Sequence, residues 1–188
     1  IMILIREALA HPQPHDYFVL LSGSEYPLKS KEYIHRFLEE NRGAEFMSIV
    51  KIPSVEAGKP LSRINTLRLP SDSPVGRFVF KVLARLGLAR RDYRKHLGNL
   101  KPYAGHTWWA LTREACQYAC DFVANNPRVA TFFKYTFAPE ETCFHTILGN
   151  SPFRSRMRRN LVFEDWSARG GHPEMINEKY LALFEARD

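Results

Sequence analysis

The chain has 188 residues, of which 45% are hydrophobic and 25% are charged, a balance typical of one soluble globular domain. Low-complexity tracts, internal repeats and membrane-spanning stretches are excluded. The net charge of +7 favours an anionic partner such as a nucleic acid, an anionic lipid or a phosphorylated small molecule. Three cysteines, an odd number, exclude a disulfide framework and indicate reduced thiols in a cytosolic setting.

The first half of the chain alternates between helical and extended patterns. Periodicity predicts, in chain order, a helix at 1–10, a strand at 17–21, a helix at 30–40 and a strand at 44–50. Ser30 can cap the second helix through its hydroxyl. Residues 53–76 are rich in proline and lack periodicity, which predicts a long surface loop, a kind of segment that often carries binding residues.

The second half continues the alternation. It predicts a helix at 78–86, a strand at 106–112, a helix to 123, a short apolar element at 130–137, a helix beginning near 138, a strand at 160–166 and a closing helix at 177–186. Thr112 is the expected cap of the helix that follows it. Strands alternating with helices predict an α/β fold, which we assign to a single domain over 1–188.

The stretch YFVLLSGSEYPLKS, residues 17–30, ends a buried strand in a small polar loop that carries a carboxylate. One interpretation is ordinary turn chemistry, because Gly, Ser and Pro commonly end strands. The other is a ligand-binding loop at the carboxyl end of a strand, where open α/β sheets place their sites. The loop by itself leaves both interpretations open.

Four segments together carry a family resemblance. They are, in order, YFVLLSGSEYPLKS, GHTWWALTREAC, FAPEETCFHTILGNSPF and NLVFEDWSARGGHP. Their order and spacing resemble the core-2/I-branching β-1,6-N-acetylglucosaminyltransferases and the related peptide xylosyltransferases, in the style of bacterial members. The resemblance spans nearly the whole chain.

The resemblance implies a GT-A-like mixed sheet flanked by helices and an inverting glycosyltransferase. The enzyme would move N-acetylglucosamine or xylose from a UDP-sugar to a hydroxyl of a glycan or other acceptor. Family members are similar in lacking the Asp-x-Asp metal motif, which this sequence also lacks. We therefore expect no metal, no cofactor and no nucleic-acid partner.

The resemblance also implies roles for individual residues. The family's Ser-Pro-Asp-Glu stretch reads Ala-Pro-Glu-Glu at 138–141, which makes Glu141 the expected general base. From local sequence alone, both glutamates could instead complement a helix N-terminus. The loop described above would face the donor, through Ser22, Gly23, Ser24 and Glu25.

Acceptor binding is expected from aromatic and acidic side chains. Trp166 matches a family Trp that packs on the acceptor sugar, and Glu45 falls near a glutamate that holds acceptor hydroxyls. Trp108 and Trp109 occupy opposite faces of the predicted strand, so one is expected in the core and the other in the cleft. His145, one helical turn past Glu141, could orient that carboxylate or be an ordinary core residue.

The resemblance does not extend to the two ends of the family's catalytic domain. The family's N-terminal strand–helix unit that holds the uridine, and its C-terminal basic stretch that holds the diphosphate, are not matched. We therefore expect a truncated catalytic domain. Its expected location is the cytoplasm, with the periphery of a membrane as the alternative. The alternatives are a carbohydrate-binding remnant without catalysis and, less favoured, a basic nucleic-acid-binding module.

Overall fold

The computed structural model describes residues 1–68, 74–167 and 173–185. These residues form two compact units. The first unit comprises residues 1–20 and 43–160 and holds both β-sheets. The second comprises residues 21–42 and the described part of 161–188.

The first unit is built on two sheets. Its strands are β1 (Tyr17–Val19), β2 (Glu45–Phe46), β3 (Ile49–Lys51), β4 (Tyr103–Gly105), β5 (Ala110–Thr112) and β6 (Met157–Arg158). The larger sheet has the order β1-β5-β2-β6, in which β5 is antiparallel to both neighbours and β2 is parallel to β6. The smaller sheet pairs β3 with β4 in antiparallel register. The mixed α/β class predicted from the sequence is confirmed.

Helices cover the two sheets and create two hydrophobic cores. The helices of this unit are α1 (Met2–Ala10), α3 (Ser62–Asn65), α4 (Pro74–Arg85), α5 (Arg94–Leu97), α6 (Arg113–Asn125), α7 (Pro127–Lys134) and α8 (Cys143–Gly149). The first core joins α1, α6 and α8 to the larger sheet through Ile5, Leu111, Cys116 and Phe144, among others. The second joins α3, α5 and α7 to the smaller sheet through Ile64, Leu97, Ala104 and Phe133.

The second unit contains α2 (Lys31–Glu40), a 3-10 turn (Glu178–Tyr180) and α9 (Leu181–Glu185). Ser30 caps α2 as predicted, since its Oγ accepts a hydrogen bond of 3.2 Å from the Tyr33 N–H. Phe163 packs edge-on against Phe184, with ring centroids 5.1 Å apart.

Two predicted strands have different bounds in the structure. The predicted strand 44–50 is divided into β2 and β3, which belong to different sheets. The predicted strand 106–112 is confirmed only at 110–112, because residues 106–109 connect β4 to β5. Periodicity could not show these breaks, since the apolar pattern continues through the connecting residues, which include the buried Met47 and Trp109.

Two other predictions also change. The predicted loop at 53–76 contains α3 and the start of α4, although residues 69–73 lie outside the described part. The predicted strand 160–166 is wrong; the strand that pairs with β2 is β6, just before it. The described part of the closing helix is the 3-10 turn followed by α9, and residue 186 lies outside the described part.

Candidate active site

Glu141 lies in a tight turn between the end of α7 and the start of α8. The turn is a 3-10 helix (Pro139–Glu141), and Ala138 before it has a left-handed backbone with φ of 47°. This conformation is unfavourable for a residue with a Cβ, and such strain often accompanies functional sites. The Glu141 N–H donates to the Ala138 carbonyl at 3.0 Å, and the buried Thr142 hydroxyl donates to the same oxygen at 3.3 Å. These bonds fix the direction in which the carboxylate leaves the backbone.

Two cations hold the Glu141 carboxylate. Lys59 Nζ donates to Oε2 at 2.6 Å and Arg63 Nη1 donates to the same oxygen at 2.7 Å. The Glu141 side chain keeps 23% of its surface exposed, and both cations are largely buried. Charge-assisted bonds of this length are strong and directional, so they define the carboxylate's orientation. Among the described residues no group donates to Oε1, which leaves that oxygen able to accept a proton.

The cations come from the segment that the sequence predicts as a loop. Lys59 closes a small turn with Ser54. The Lys59 N–H donates to the Ser54 carbonyl at 2.8 Å, and the Ser54 N–H donates to the Lys59 carbonyl at 2.9 Å. Arg63 is on α3, and its carbonyl accepts a bond of 3.0 Å from the N–H of Phe137. This bond ties α3 to the chain just before Glu141. No charge pattern in the sequence links these residues, which are about 80 positions from Glu141 (82 for Lys59 and 78 for Arg63).

An open depression of about 230 Å³ lies beside this ion cluster. It is lined by Gly58, Pro60, Ser62, Arg63, Arg68 and Phe137. Phe137 is 47% exposed, and the guanidinium carbons of Arg63 and Arg68 lie 5.0 and 5.5 Å from its ring centroid. Within the described ranges Arg68 has no acidic partner. The depression therefore combines positive charge with an exposed aromatic face.

His145 lies on α8, one turn past Glu141, and is fully buried. Burial, assisted by the charge on Lys59, lowers the pKa of His145 to about 3, although the backbone of His106 acts in the opposite direction. Apart from this contact with the His106 backbone, neither ring nitrogen has a hydrogen-bond partner among the described residues. His145 is thus a neutral core residue, and the Glu141 carboxylate is oriented by the two cations rather than by this imidazole.

Glu45 lies in β2 and is fully buried. Its Oε2 accepts from the Thr112 N–H at 2.9 Å, and its Oε1 accepts from the Thr112 hydroxyl at 2.7 Å. Burial raises the pKa of Glu45, against the effect of these bonds. The same Thr112 hydroxyl accepts from Ala115 N–H at 3.2 Å and caps α6, as predicted. In this arrangement Glu45 joins β2 to the start of α6, and its role in acceptor binding stays a prediction.

The tryptophan pair precedes β5. Trp109 is buried in the first core beside Phe144, with ring centroids 6.2 Å apart, whereas Trp108 is half-buried. No described hydrogen bond or ring contact joins Glu45, Trp108 or Trp109 to Glu141.

The remaining predicted residues belong to the second unit. The Ser22 N–H donates to the Glu25 carboxylate, and the Ser22 and Ser24 hydroxyls lie 3.1 Å apart. Gly23 is exposed, with open space where a Cβ would stand. Trp166 is half-exposed, and its Nε1 donates to the Glu164 carboxylate at 2.8 Å. The donor role of this loop and the acceptor role of Trp166 stay predictions.

The sequence model of the core-2/I-branching enzyme family matches residues 3–183. The chain belongs to the core-2/I-branching enzyme family. Among its relatives, the dog (Canis lupus familiaris) protein named xylosyltransferase 2 is 29% identical over 160 residues, which are 83% of this chain and 17% of that protein. The human (Homo sapiens) protein named xylosyltransferase 1 is 28% identical over 170 residues, 84% of this chain and 15% of that protein. The chain thus spans about a sixth of the length of these relatives.

The described residues show neither a metal-binding cluster nor a membrane-spanning helix. They contain no group of three His, Cys, Asp or Glu side chains that could hold a metal ion. None of their helices is long and apolar enough to cross a membrane.

Proposed function

We propose that this member of the core-2/I-branching family is an inverting, metal-independent glycosyltransferase, with Glu141 as the general base. The observation that carries the proposal is the fixed Glu141 carboxylate with one unoccupied oxygen, beside a basic and partly aromatic depression. Its neighbour Glu140 makes no comparable pair with a cation among the described residues. This difference supports the alignment with the family motif in which Glu141, rather than Glu140, is the base.

The proposed reaction is a single displacement. An acceptor hydroxyl gives its proton to Glu141 Oε1 while the hydroxyl oxygen bonds to the anomeric carbon of the donor sugar. The bond from that carbon to the diphosphate oxygen breaks, and the departing nucleotide keeps the electron pair. Because attack and departure are on opposite faces, the anomeric configuration inverts. Lys59 and Arg63 hold the carboxylate in place throughout this step.

The cations also support a reaction without a metal. A departing diphosphate needs positive charge nearby, which side chains or a metal can supply. Lys59 and Arg63 bind the Glu141 carboxylate, and Arg68 adds a third positive charge to the depression beside them. Arg68, whose guanidinium is engaged only with the Phe80 and Phe137 rings among the described residues, is the cation best placed for an anionic group of a substrate.

Phe137 is the residue in this site that best fits a sugar. Its exposed ring lies four residues before Glu141 and lines the depression. An aromatic face suits the apolar C–H face of a pyranose. We propose UDP-xylose or UDP-N-acetylglucosamine as donor and a hydroxyl of a glycan or other molecule as acceptor. The names of the relatives favour xylose.

The proposal is tested by incubating the chain with each UDP-sugar and a panel of glycan and peptide acceptors, with and without EDTA. We expect UDP release that depends on the acceptor and survives EDTA, and a product whose anomeric configuration is opposite to that of the donor by NMR. Glycan binding with no turnover would instead favour the carbohydrate-binding alternative. Salt-sensitive oligonucleotide binding would favour the nucleic-acid alternative.

A further inference from the structure

Helix α4 of the first unit exposes an apolar stripe. The exposed fractions are 71% for Val75, 67% for Phe78 and 65% for Leu86, which lies just past the end of the helix. Val79 and Val82, between Phe78 and Leu86, are also exposed. At 100° per residue these five side chains fall within one arc of the helix surface. On another side of the helix, Gly76, Phe80 and Leu83 are only partly exposed, and Phe80 packs against the Arg68 guanidinium. A continuous exposed apolar stripe of this kind marks an interaction surface.

A row of cations borders this stripe. Arg77, Lys81 and Arg85 are spaced four residues apart and are all exposed, so they form a line along the helix beside Phe78 and Val82. Helix α4 contains no acidic residue. The basic character continues into residues 86–95, which add Arg90, Arg91, Arg94 and Lys95 against one acid, Asp92.

A helix with this pattern is suited to the surface of a membrane. Interfacial helices bury an apolar face at the headgroup boundary and place Lys and Arg beside anionic headgroups. With 12 residues, α4 is about 18 Å long, well short of the roughly 30 Å hydrocarbon core. Such a helix can therefore lie on a bilayer but cannot cross one.

We propose that α4 docks the first unit onto an anionic lipid bilayer, with its apolar stripe in the headgroup boundary and its cations on the lipid phosphates. The charge pattern favours a bilayer over a second copy of the chain or a nucleic acid. A second copy seated antiparallel on the same face would bring two rows of like charge together, and in either orientation α4 offers no acidic residue to offset the cations. A nucleic acid would use the cations but would leave the valine and leucine side chains of the stripe in water.

The test is cosedimentation of the chain with vesicles of 7:3 phosphatidylcholine and phosphatidylglycerol, and with vesicles of phosphatidylcholine alone. We expect binding to the anionic vesicles that weakens as salt is added, and much weaker binding to the neutral ones. The double variant R77E/K81E should bind anionic vesicles at least about 100-fold more weakly, because each reversal removes an attraction and adds a repulsion. The variant F78S/V82S should also lose most of its binding at unchanged net charge.

The matched control is R128E/K134E, which removes two exposed cations from α7 and changes the net charge by the same amount. This variant should retain most of the binding, and circular dichroism should show all three variants folded. Equal losses in R77E/K81E and R128E/K134E would overturn the proposal, as would binding insensitive to F78S/V82S. A dimer in solution that F78S/V82S dissociates, or oligonucleotide binding that displaces the vesicles, would also overturn it. Lipid binding is measured without turnover, so its outcome is independent of the proposed catalysis.

Discussion

Replacing Gly105 with alanine is expected to destabilise the first unit severely. Gly105 is fully buried in β4 opposite Ile49 of β3, in the motif that precedes the tryptophan pair. A methyl group built on its Cα would overlap the Ser48 carbonyl oxygen and the His145 ring. The carbonyl belongs to the backbone next to a paired strand, and the ring is enclosed on α8, so neither can move freely.

The size of the effect follows from these two overlaps. Overpacking a close-packed core costs about 1–3 kcal/mol when flexible side chains can adjust. Here one overlapped group is backbone, so we expect a loss of at least about 3 kcal/mol in the free energy of unfolding. For a chain of this size, that corresponds to a fall in Tm of about 6–12 °C.

Thermal and urea unfolding, followed by circular dichroism, measure this loss. The matched control is Gly23→Ala, because an added Cβ at Gly23 meets nothing within 4 Å. That variant should change the unfolding free energy by less than about 0.5 kcal/mol. If Gly105→Ala were as stable as the wild type, the packing of β4 against Ser48 and His145 described above would be wrong.

Three further predictions concern buried polar groups. Thr112→Ala should cost about 2–4 kcal/mol of unfolding free energy, because it removes the cap of α6 and a hydrogen bond to the buried Glu45 carboxylate, whereas Thr112→Ser should cost less than about 1 kcal/mol. The free energy of unfolding should fall as the pH drops below 6.5, by up to about 1.4 kcal/mol per pH unit, because the unfolded chain binds a proton that native His145, with its pKa of about 3, excludes. Urea titrations at pH 7 and pH 5 measure this fall, which should be smaller in the His145→Phe variant than in the wild type. Burial raises the pKa of Cys116 and Cys143 to about 12, so at pH 8 these thiols should react with DTNB far more slowly in the native protein than in guanidinium. Equal rates would contradict the burial of Cys116 in the first core.

Local features of the fold were predictable, but the strand pairing was not. Ser30 and Thr112 cap their helices as predicted, since capping depends on side chains within three residues. The division of residues 44–50 into two strands depends on partners at 103–105, 110–112 and 157–158, which local periodicity does not contain. The helix at 62–65 was missed because four residues are too few to show a helical period.

The contacts of the candidate site were also not predictable from local sequence patterns. The resemblance led to Glu141, but the residues that hold it, Lys59 and Arg63, come from a segment with no motif. Their pairing is a tertiary contact, and only the expectation that a long loop carries binding residues pointed to that segment. The sequence predicts only a short apolar element around Phe137, whereas the Phe137 ring lies half in solvent beside Arg63.

Comparing Glu141→Gln with Glu140→Gln in the same transfer assay tests the central claim most directly. Both variants remove one negative charge from the same turn, but only Glu141 is held by Lys59 and Arg63. We predict that Glu141→Gln lowers kcat at least about 100-fold, while the chain still folds and still gains thermal stability from UDP. Glu140→Gln should keep its kcat within about threefold of the wild type. Near-normal turnover by Glu141→Gln, or equal losses in both variants, would contradict the assignment of Glu141 as the base.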